Sequence, residues 1–247
     1  MTDVIIPLGN GSSNGNEELR VLLRSMDRHL MDCGRVIVAT SCPPDWLGGD
    51  AVVYPIGDLY TDNKDANLHR KILAVLEGMG VGDFVFCADD NCFMQDISAD
   101  AIPVIHNHRE NGLFYQKDAG RWKKRVRNTL DWAARRGAVL EHNFECHCPQ
   151  RFDGGLLRER LRDLDFVSQP GLTIYTAWRV LTETYRDSHD QREYKQTFEL
   201  EMDERPRTMT DEELHSKAFI GYSDAGVRAG ILDRLKRIFT EKSRYER

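Results

Sequence analysis

Short, uniformly apolar runs alternate with segments of helical periodicity through the first half of this chain. That alternation restricts it to an α/β sheet with helices on its faces. The runs are Asp3–Leu8, Arg35–Thr40, Ala51–Pro55 and Asp83–Ala88. A run this short and continuous is buried on both sides, as strands of a parallel sheet are. Between the first two runs, Leu19, Leu22, Leu23, Met26 and Leu30 recur at helical spacing, with Glu17 and Glu18 in the first turn, where the helix dipole favours acids. Leu68, Ile72, Val75, Leu76 and Met79 mark a second helix ending near Gly78–Gly80. The pattern predicts a Rossmann-type, mostly parallel sheet, whose ligands sit beyond the carboxyl ends of the strands.

The second half is less regular and predicts a more helical architecture. Helices are expected over about 119–136, 156–164, 174–186 and 211–218. Val227, Ile231, Leu232, Leu235, Ile238 and Phe239 mark an amphipathic C-terminal helix. Ala138–Leu140 and Phe144 suggest a return strand. Residues 187–210, dense in charge and holding Pro206, read as an exposed excursion. No boundary divides the chain, which is read as a single domain over 1–247, with a nucleotide-binding half (1–95) and an acceptor-side half (96–247).

Composition excludes some functions. No window is long and apolar enough to span a membrane, and the N-terminus lacks a secretory pattern, so a cytoplasmic protein is expected. The net charge of −6 argues against a protein that binds polyanions over its whole surface. Residues 117–136 are nevertheless strongly basic, with eight Lys or Arg against two Asp. Trp122 and Trp132 lie among them, a composition that suits an acceptor carrying phosphates or stacked bases as well as a plain solvated helix. Lys123, Lys124 and Arg127 are the candidate acceptor-binding residues. The six cysteines form no CxxC pair and are expected as free thiols. On a strand, His147 would point away from Cys146 and Cys148, against a zinc site.

Four polar clusters carry the chemistry. The sharpest is Asp89-Asp90-Asn91, delivered by an apolar strand to its C-terminal end. Adjacent like charges repel, and a divalent cation with oxygen ligands relieves this; an Asp/Asn-rich turn is the alternative. The loop Gly9–Asn16 follows the first strand's end at Pro7-Leu8, and its glycines, Gly9-Asn10-Gly11 first, let backbone approach a nucleotide or make an ordinary turn. Asp62–Lys71 opens the second helix with Lys64, Asn67, Arg70 and Lys71, groups suited to phosphate oxygens or to a solvated helix start. Glu141–Phe152 crowds His142, Glu145 and His147 together, with Pro149 just beyond, and offers a base, a nucleophile or a ligand.

Taken in this order, the clusters resemble those of glycosyltransferase-A type nucleotide-sugar enzymes, nearest to Stealth-like capsular sugar-phosphate transferases and related phage-type enzymes. The resemblance rests on Asp3-Val4-Ile5, Glu18–Ser25, Val36-Ile37-Val38, Pro44–Leu47, Asn63–His69, Asp89-Asp90, His147-Cys148-Pro149 and Ser243–Glu246. It spans most of residues 3–152 and more faintly the rest. It implies a metal-dependent transfer of a sugar from a nucleotide-sugar, with a UDP-sugar favoured, to an acceptor hydroxyl on a glycan or, less favoured, a hydroxylated DNA base. Asp89 and Asp90 would hold Mg²⁺ or Mn²⁺, with Asn91 in the third place of an Asp-x-Asp pattern. His215 or His147 would supply a further ligand, and His147 alternatively works on the transferred group. Pro7, Leu8, Gly9, Asn10, Lys64, Asn67, Arg70 and Asp89 would face the donor. Two alternatives stay open: sugar-1-phosphate transfer, which releases a nucleoside monophosphate, and a non-catalytic nucleotide-sugar binding module.

Overall fold

The computed structural model describes residues 1–10, 12, 14–111, 120–162, 164, 166, 171–198 and 210–247. Strands β1 (Thr2–Pro7), β2 (Cys33–Ala39), β3 (Ala51–Tyr54) and β4 (Asp83–Phe86) are parallel. Strand β5 (Asn91–Phe93) leaves this sheet for a second one, and β6 (Gln150–Asp153) pairs antiparallel with β4. The five-stranded sheet therefore has the order β3-β2-β1-β4-β6. The chain runs outward from β1 to β2 and β3, then crosses back to β4 on the other side. The crevice between the carboxyl ends of β1 and β4 is thus the switch point where open α/β sheets place ligands.

Side-chain alternation along β1 splits the core. Ile5 faces one layer with Ile37, Phe84 and Phe86, while Val4 and Ile6 face the other with Val36, Val38 and Val85. Helix α1 (Glu17–His29) covers the second layer through Leu19, Leu22, Leu23 and Met26. Helix α2 (Lys64–Met79) covers the first through Ile72, Val75 and Leu76. The first layer also takes Trp132 and Ala133 of α3 (Arg121–Ala134), Leu157 and Leu161 of α4 (Gly154–Leu161), and Ala177 and Trp178 of α5 (Ile174–Leu181). Trp178 stands edge-on to Phe86 and Phe152, with ring centroids 5.9 and 5.4 Å away.

A second sheet abuts the first. Strand β7 (Lys195–Phe198) runs parallel to β8 (Phe219–Tyr222), and β8 runs antiparallel to β5. Ile220 and Tyr222 pack there against Ile231, Leu232 and Leu235 of α6 (Ile231–Ile238). The last residues close over α1. Arg24 grips the Glu246 carboxylate with Nε at 2.8 Å and Nη2 at 2.9 Å. Gly49 lies in the left-handed region at φ 56°, and a Cβ there would fall 2.0 Å from the Arg244 carbonyl oxygen.

The structure bears out the mixed α/β class and the mostly parallel sheet. Several boundaries are corrected. The return strand is Gln150–Asp153, not 138–140 and 144; a four-residue edge strand holding one large apolar side chain, Phe152, carries no readable period. The C-terminal helix is broken into Asp224–Arg228 and α6 by Gly230 at φ 89°. The helix expected over 211–218 stops at Leu214, and β8 follows. Helix α5 ends at Leu181 instead of running on to 186. Among the described residues of the supposed excursion, Gln191 and Lys195 are buried and β7 joins a sheet; residues 199–209 lie outside the description. Charge misled there, because Lys195 buries its stem and donates from Nζ to the Cys146 carbonyl. Among the described residues no helix is long and apolar enough to cross a membrane.

Candidate functional site

The carboxyl end of β1 is fastened from below. Lys71 of α2 is 1% exposed, and its ammonium donates to the Leu8 carbonyl at 2.6 Å and pairs with Asp58 at 2.7 Å. Pro7 and Leu8 are buried, while Gly9 and Asn10 lie at the surface beside Asp58. Asn67 accepts from the Leu59 and Tyr60 amides and donates to the Tyr60 carbonyl at 2.7 Å. Arg70 donates to the Gly57 carbonyl. The cluster that suggested phosphate contacts therefore holds the 57–60 loop and the end of β1; the polar atoms of Asn67 are engaged by backbone. Lys64 is exposed at the first position of α2. Replacing Lys71 by Met should cost roughly 1–3 kcal/mol, by stranding the Leu8 carbonyl and Asp58. The expected loss of melting temperature should be matched by faster amide exchange at Gly9 and Asn10, and unchanged exchange there would show that Lys71 does not fasten the loop.

At the end of β4 the chain turns through Ala88–Asp90 into β5. Asn91 is fully buried and makes this turn: its Oδ1 accepts from the Ala88 amide at 3.1 Å and its Nδ2 donates to the His147 carbonyl at 3.2 Å. Both ends of the amide are thus engaged in shaping the turn, and its oxygen keeps one further lone pair. Asp89 and Asp90 follow the carboxyl end of β4, beside the crevice, and both are half-buried. Burial, helped by the charges of Asp90 and Glu18, pushes the Asp89 carboxyl up to about 6. One Asp90 oxygen, Oδ1, is buried without a hydrogen-bond partner; His147 Nδ1 lies 3.3 Å from it, out of line for a hydrogen bond. The Asp90 charge raises the His147 imidazole above its usual value, with Lys195 opposing it. Among the described residues, no lysine or arginine pairs with Asp89 or Asp90.

His147 arrives through an unusual backbone. It occupies the left-handed region at φ 50°, which a non-glycine residue adopts only when its surroundings impose it. The expectation of strand alternation at 146–148 was wrong in mechanism and right in outcome: both thiols point inward and the imidazole is 57% exposed. The His147 carbonyl packs on Gly221 of β8, where a Cβ would approach it to 2.6 Å. Cys146, buried, is pushed well above the usual thiol range, whereas its hydrogen bond and nearby cations draw Cys148 below it.

The remaining predicted residues lie elsewhere. His215 is exposed, its Nδ1 at 2.7 Å from the Asp211 carbonyl, next to Gln95 and beyond the far end of the β5–β8 pair; Asp90 lies at the near end, beside Tyr222. The structure does not bring His215 to the two aspartates. Lys123, Lys124 and Arg127 sit on α3, whose first turns dock on the start of α2: Arg121 donates to the Asp62 carbonyl at 3.1 Å and Arg125 pairs with Asp65. The basic helix therefore stands at the carboxyl face of the sheet, not remote from it. Lys117 lies outside the described residues.

Two residues escaped the sequence reading. Glu18, given no site role there, accepts from Asn14 Nδ2 at 2.6 Å, and its charge helps raise the Asp89 carboxyl. Tyr222 brings a buried hydroxyl without a hydrogen-bond partner under the influence of Asp90, Glu18 and Asp89. Glu18 was findable once α1 was expected to start at the crevice; nothing in the sequence marked Tyr222. No protein-family model and no curated protein matches this chain.

Proposed function

We propose that this chain is a metal-dependent glycosyltransferase of glycosyltransferase-A type, transferring a sugar from a nucleotide-sugar, with a UDP-sugar favoured, to an acceptor hydroxyl. The observation that carries the reading is the pair of half-buried aspartates at the β1–β4 crevice with no lysine or arginine beside them. Two adjacent carboxylates with no lysine or arginine beside them, one with a buried oxygen that accepts no hydrogen bond and has only His147 3.3 Å away, fit a hard divalent ion such as Mg²⁺ or Mn²⁺. Among the described residues no three His, Cys, Asp or Glu converge as a metal cage. When bound, the ion would neutralise charge on the departing nucleoside diphosphate.

The chain's own residues supply the rest. Asp89 and Asp90 would hold the ion, and the Gly9–Asn10 loop, held by Lys71, offers exposed backbone to the nucleotide. His147, projecting from its left-handed turn beside Asp90, takes the proton of the acceptor hydroxyl. Helix α3 presents Lys123, Lys124 and Arg127 to the acceptor.

A melting-temperature screen of nucleotide-sugars with and without Mn²⁺ tests the reading. A donor at about 100 times its Kd adds about 2.7 kcal/mol of stability. Stabilisation by a UDP-sugar only when Mn²⁺ or Mg²⁺ is present is the expected result; no response to any nucleotide-sugar would sink it. The nucleotide released on turnover then separates glycosyl transfer, which yields a diphosphate, from sugar-phosphate transfer, which yields a monophosphate. Replacing Lys123, Lys124 and Arg127 together by Ala should raise the acceptor KM several-fold and leave donor affinity unchanged. If the acceptor is DNA, the log–log salt slope should also flatten by about one unit per lost phosphate contact. Weakened donor affinity with unchanged acceptor kinetics would place the helix on the nucleotide side.

A further inference from the structure

The loop that leaves β1 at Gly9 and enters α1 at Asn16 is fastened at both ends, and its far end is held from outside the crevice. It enters the helix through two successive left-handed residues, Gly15 at φ 71° and Asn16 at φ 60°. A residue such as Asn16 keeps that conformation when its surroundings impose it. Within the loop, the Asn16 amide donates to Ser12 Oγ at 2.8 Å, and Asn14 reaches Glu18. From outside, the Trp46 indole Nε1 donates to the Gly15 carbonyl at 3.2 Å.

Trp46 is itself gripped by the last residues of the chain. The Arg247 amide donates to the Trp46 carbonyl at 2.8 Å. The Gly48 and Asp50 amides donate to the Tyr245 and Arg244 carbonyls at 2.9 and 3.0 Å. Ser243–Arg247 thus lies along residues 46–50 as a strap, with Tyr245 buried at its centre and Leu47 bridged to Glu246. On the ring face of Trp46, the Arg20 guanidinium carbon stands 4.5 Å from the ring centroid, within cation–π reach. Arg20 pairs with Glu17, and its Nε lies 3.4 Å from Glu246 Oε2. A continuous set of contacts therefore runs from Glu246 through Arg20 and Trp46 to Gly15.

We propose that Trp46 is a positioning residue for the nucleotide, and that the strap Ser243–Arg247 sets how well the β1–α1 loop receives it. Lys71 fixes the loop at Leu8 and Trp46 fixes it at Gly15. A loop held at both ends loses less conformational freedom when a ligand orders it, so holding it favours binding. The groups assigned to the reaction, Asp89, Asp90 and His147, lie elsewhere in the crevice. Loosening the loop should therefore weaken donor binding and spare the turnover of bound donor. The effect on the nucleotide rests on the function proposed above; the hold on the loop does not.

The test uses the full chain. Trp46→Phe keeps a ring for Arg20 and removes the indole N–H. Exchange of the Asn16 amide should quicken in this variant. The Kd for UDP in the presence of Mn²⁺ should rise roughly threefold to tenfold, the range one lost hydrogen bond covers. Hydrolysis of UDP-glucose by water, which needs no identified acceptor, should show the same rise in KM with kcat kept. Glu246→Gln should quicken exchange of the Trp46 indole proton and raise the UDP Kd in the same direction. The double variant should bind UDP no more weakly than Trp46→Phe does, because the strap acts through the indole. Unchanged Asn16 exchange in Trp46→Phe would overturn the hold on the loop. A lowered melting temperature with an unchanged UDP Kd would make Trp46 merely structural and overturn its positioning role. Additive losses in the double variant would overturn the route from the strap through Trp46. If the wild type binds no UDP or UDP-sugar, the glycosyltransferase reading and the nucleotide role fall together, while the two exchange measurements still decide whether the strap holds the loop.

Discussion

Replacing Asp89 by Asn should abolish metal-dependent turnover and at the same time make the protein more stable at neutral pH. The loss follows from the proposed role: removing a carboxylate from the ion forfeits several kcal/mol of charge stabilisation, a rate loss of roughly a thousandfold or more. The gain follows from the carboxyl's position. Burial, Asp90 and Glu18 hold Asp89 at about 6, above its ordinary 3.8, so the folded chain binds this proton more tightly than the unfolded chain does. A group with a raised folded pKa contributes fully below the unfolded value and loses that contribution as pH climbs through the folded one. The wild type should thus lose stability relative to Asp89→Asn between pH 3.8 and about 6. Melting curves at pH 4 should nearly coincide, and those at pH 7.5 should separate by several degrees in favour of the variant, since a ~1–2 kcal/mol effect moves a chain of this size by roughly 2–8 °C. Saturating Mn²⁺ should close the gap, because only the wild type keeps both carboxylates. An Asp89→Asn protein that is fully active, or less stable at pH 7.5, would remove Asp89 from the site.

His147→Gln should lower kcat by roughly 100-fold while donor binding is kept, the amount a positioned acid or base contributes. The pH profile sharpens the test. Asp90 faces the imidazole and raises its pKa, Cys148 adds to this, and Lys195 opposes it. A base must be neutral, so the acid limb of kcat/KM should have its midpoint above the ordinary 6.5, and Asp90→Asn should move what activity remains to a lower midpoint. The stability sign is the reverse: the His147–Asp90 attraction contributes fully below 6.5 and fades as pH rises through the raised pKa. A merely structural His147 would lose melting temperature on substitution, keep turnover per folded molecule, and leave the acid limb in place.

What could be read from the residues was whatever depends on local periodicity. The strands β1 to β4 and the helices between them carry continuous apolar runs and clean helical spacing, so the crevice and its two aspartates followed from the sequence. The other half of the site depends on tertiary pairing. Gln150–Asp153 becomes a strand because Phe152 stacks on Phe84, with ring centroids 5.9 Å apart, and no short-range pattern encodes that. Lys71 looked like a phosphate ligand because a lysine in a helix is usually solvated, and only the fold shows its ammonium beneath Leu8. Tyr222 reaches the aspartates through the β5–β8 pairing, across more than a hundred residues of chain. His215 was chosen for its residue type alone, and the same pairing places it at the wrong end.

The two margins of the main sheet differ in how they meet other molecules. Along β6, Arg151 bonds to Asp83 at 2.6 Å and Asp153 caps the next helix, so that margin is charged and brief. The β3 margin, Ala51-Val52-Val53-Tyr54, carries no charge, and Val53 stands 37% exposed. An uncharged outer strand is a template on which another chain can add its own backbone. Here its four-residue length and Pro55, which has no amide proton to donate, keep such a ladder short. Self-association on heating or on concentration is therefore expected to begin at β3 and to be sensitive to Val53, making this margin the natural place to introduce a lysine when the protein is prepared for study.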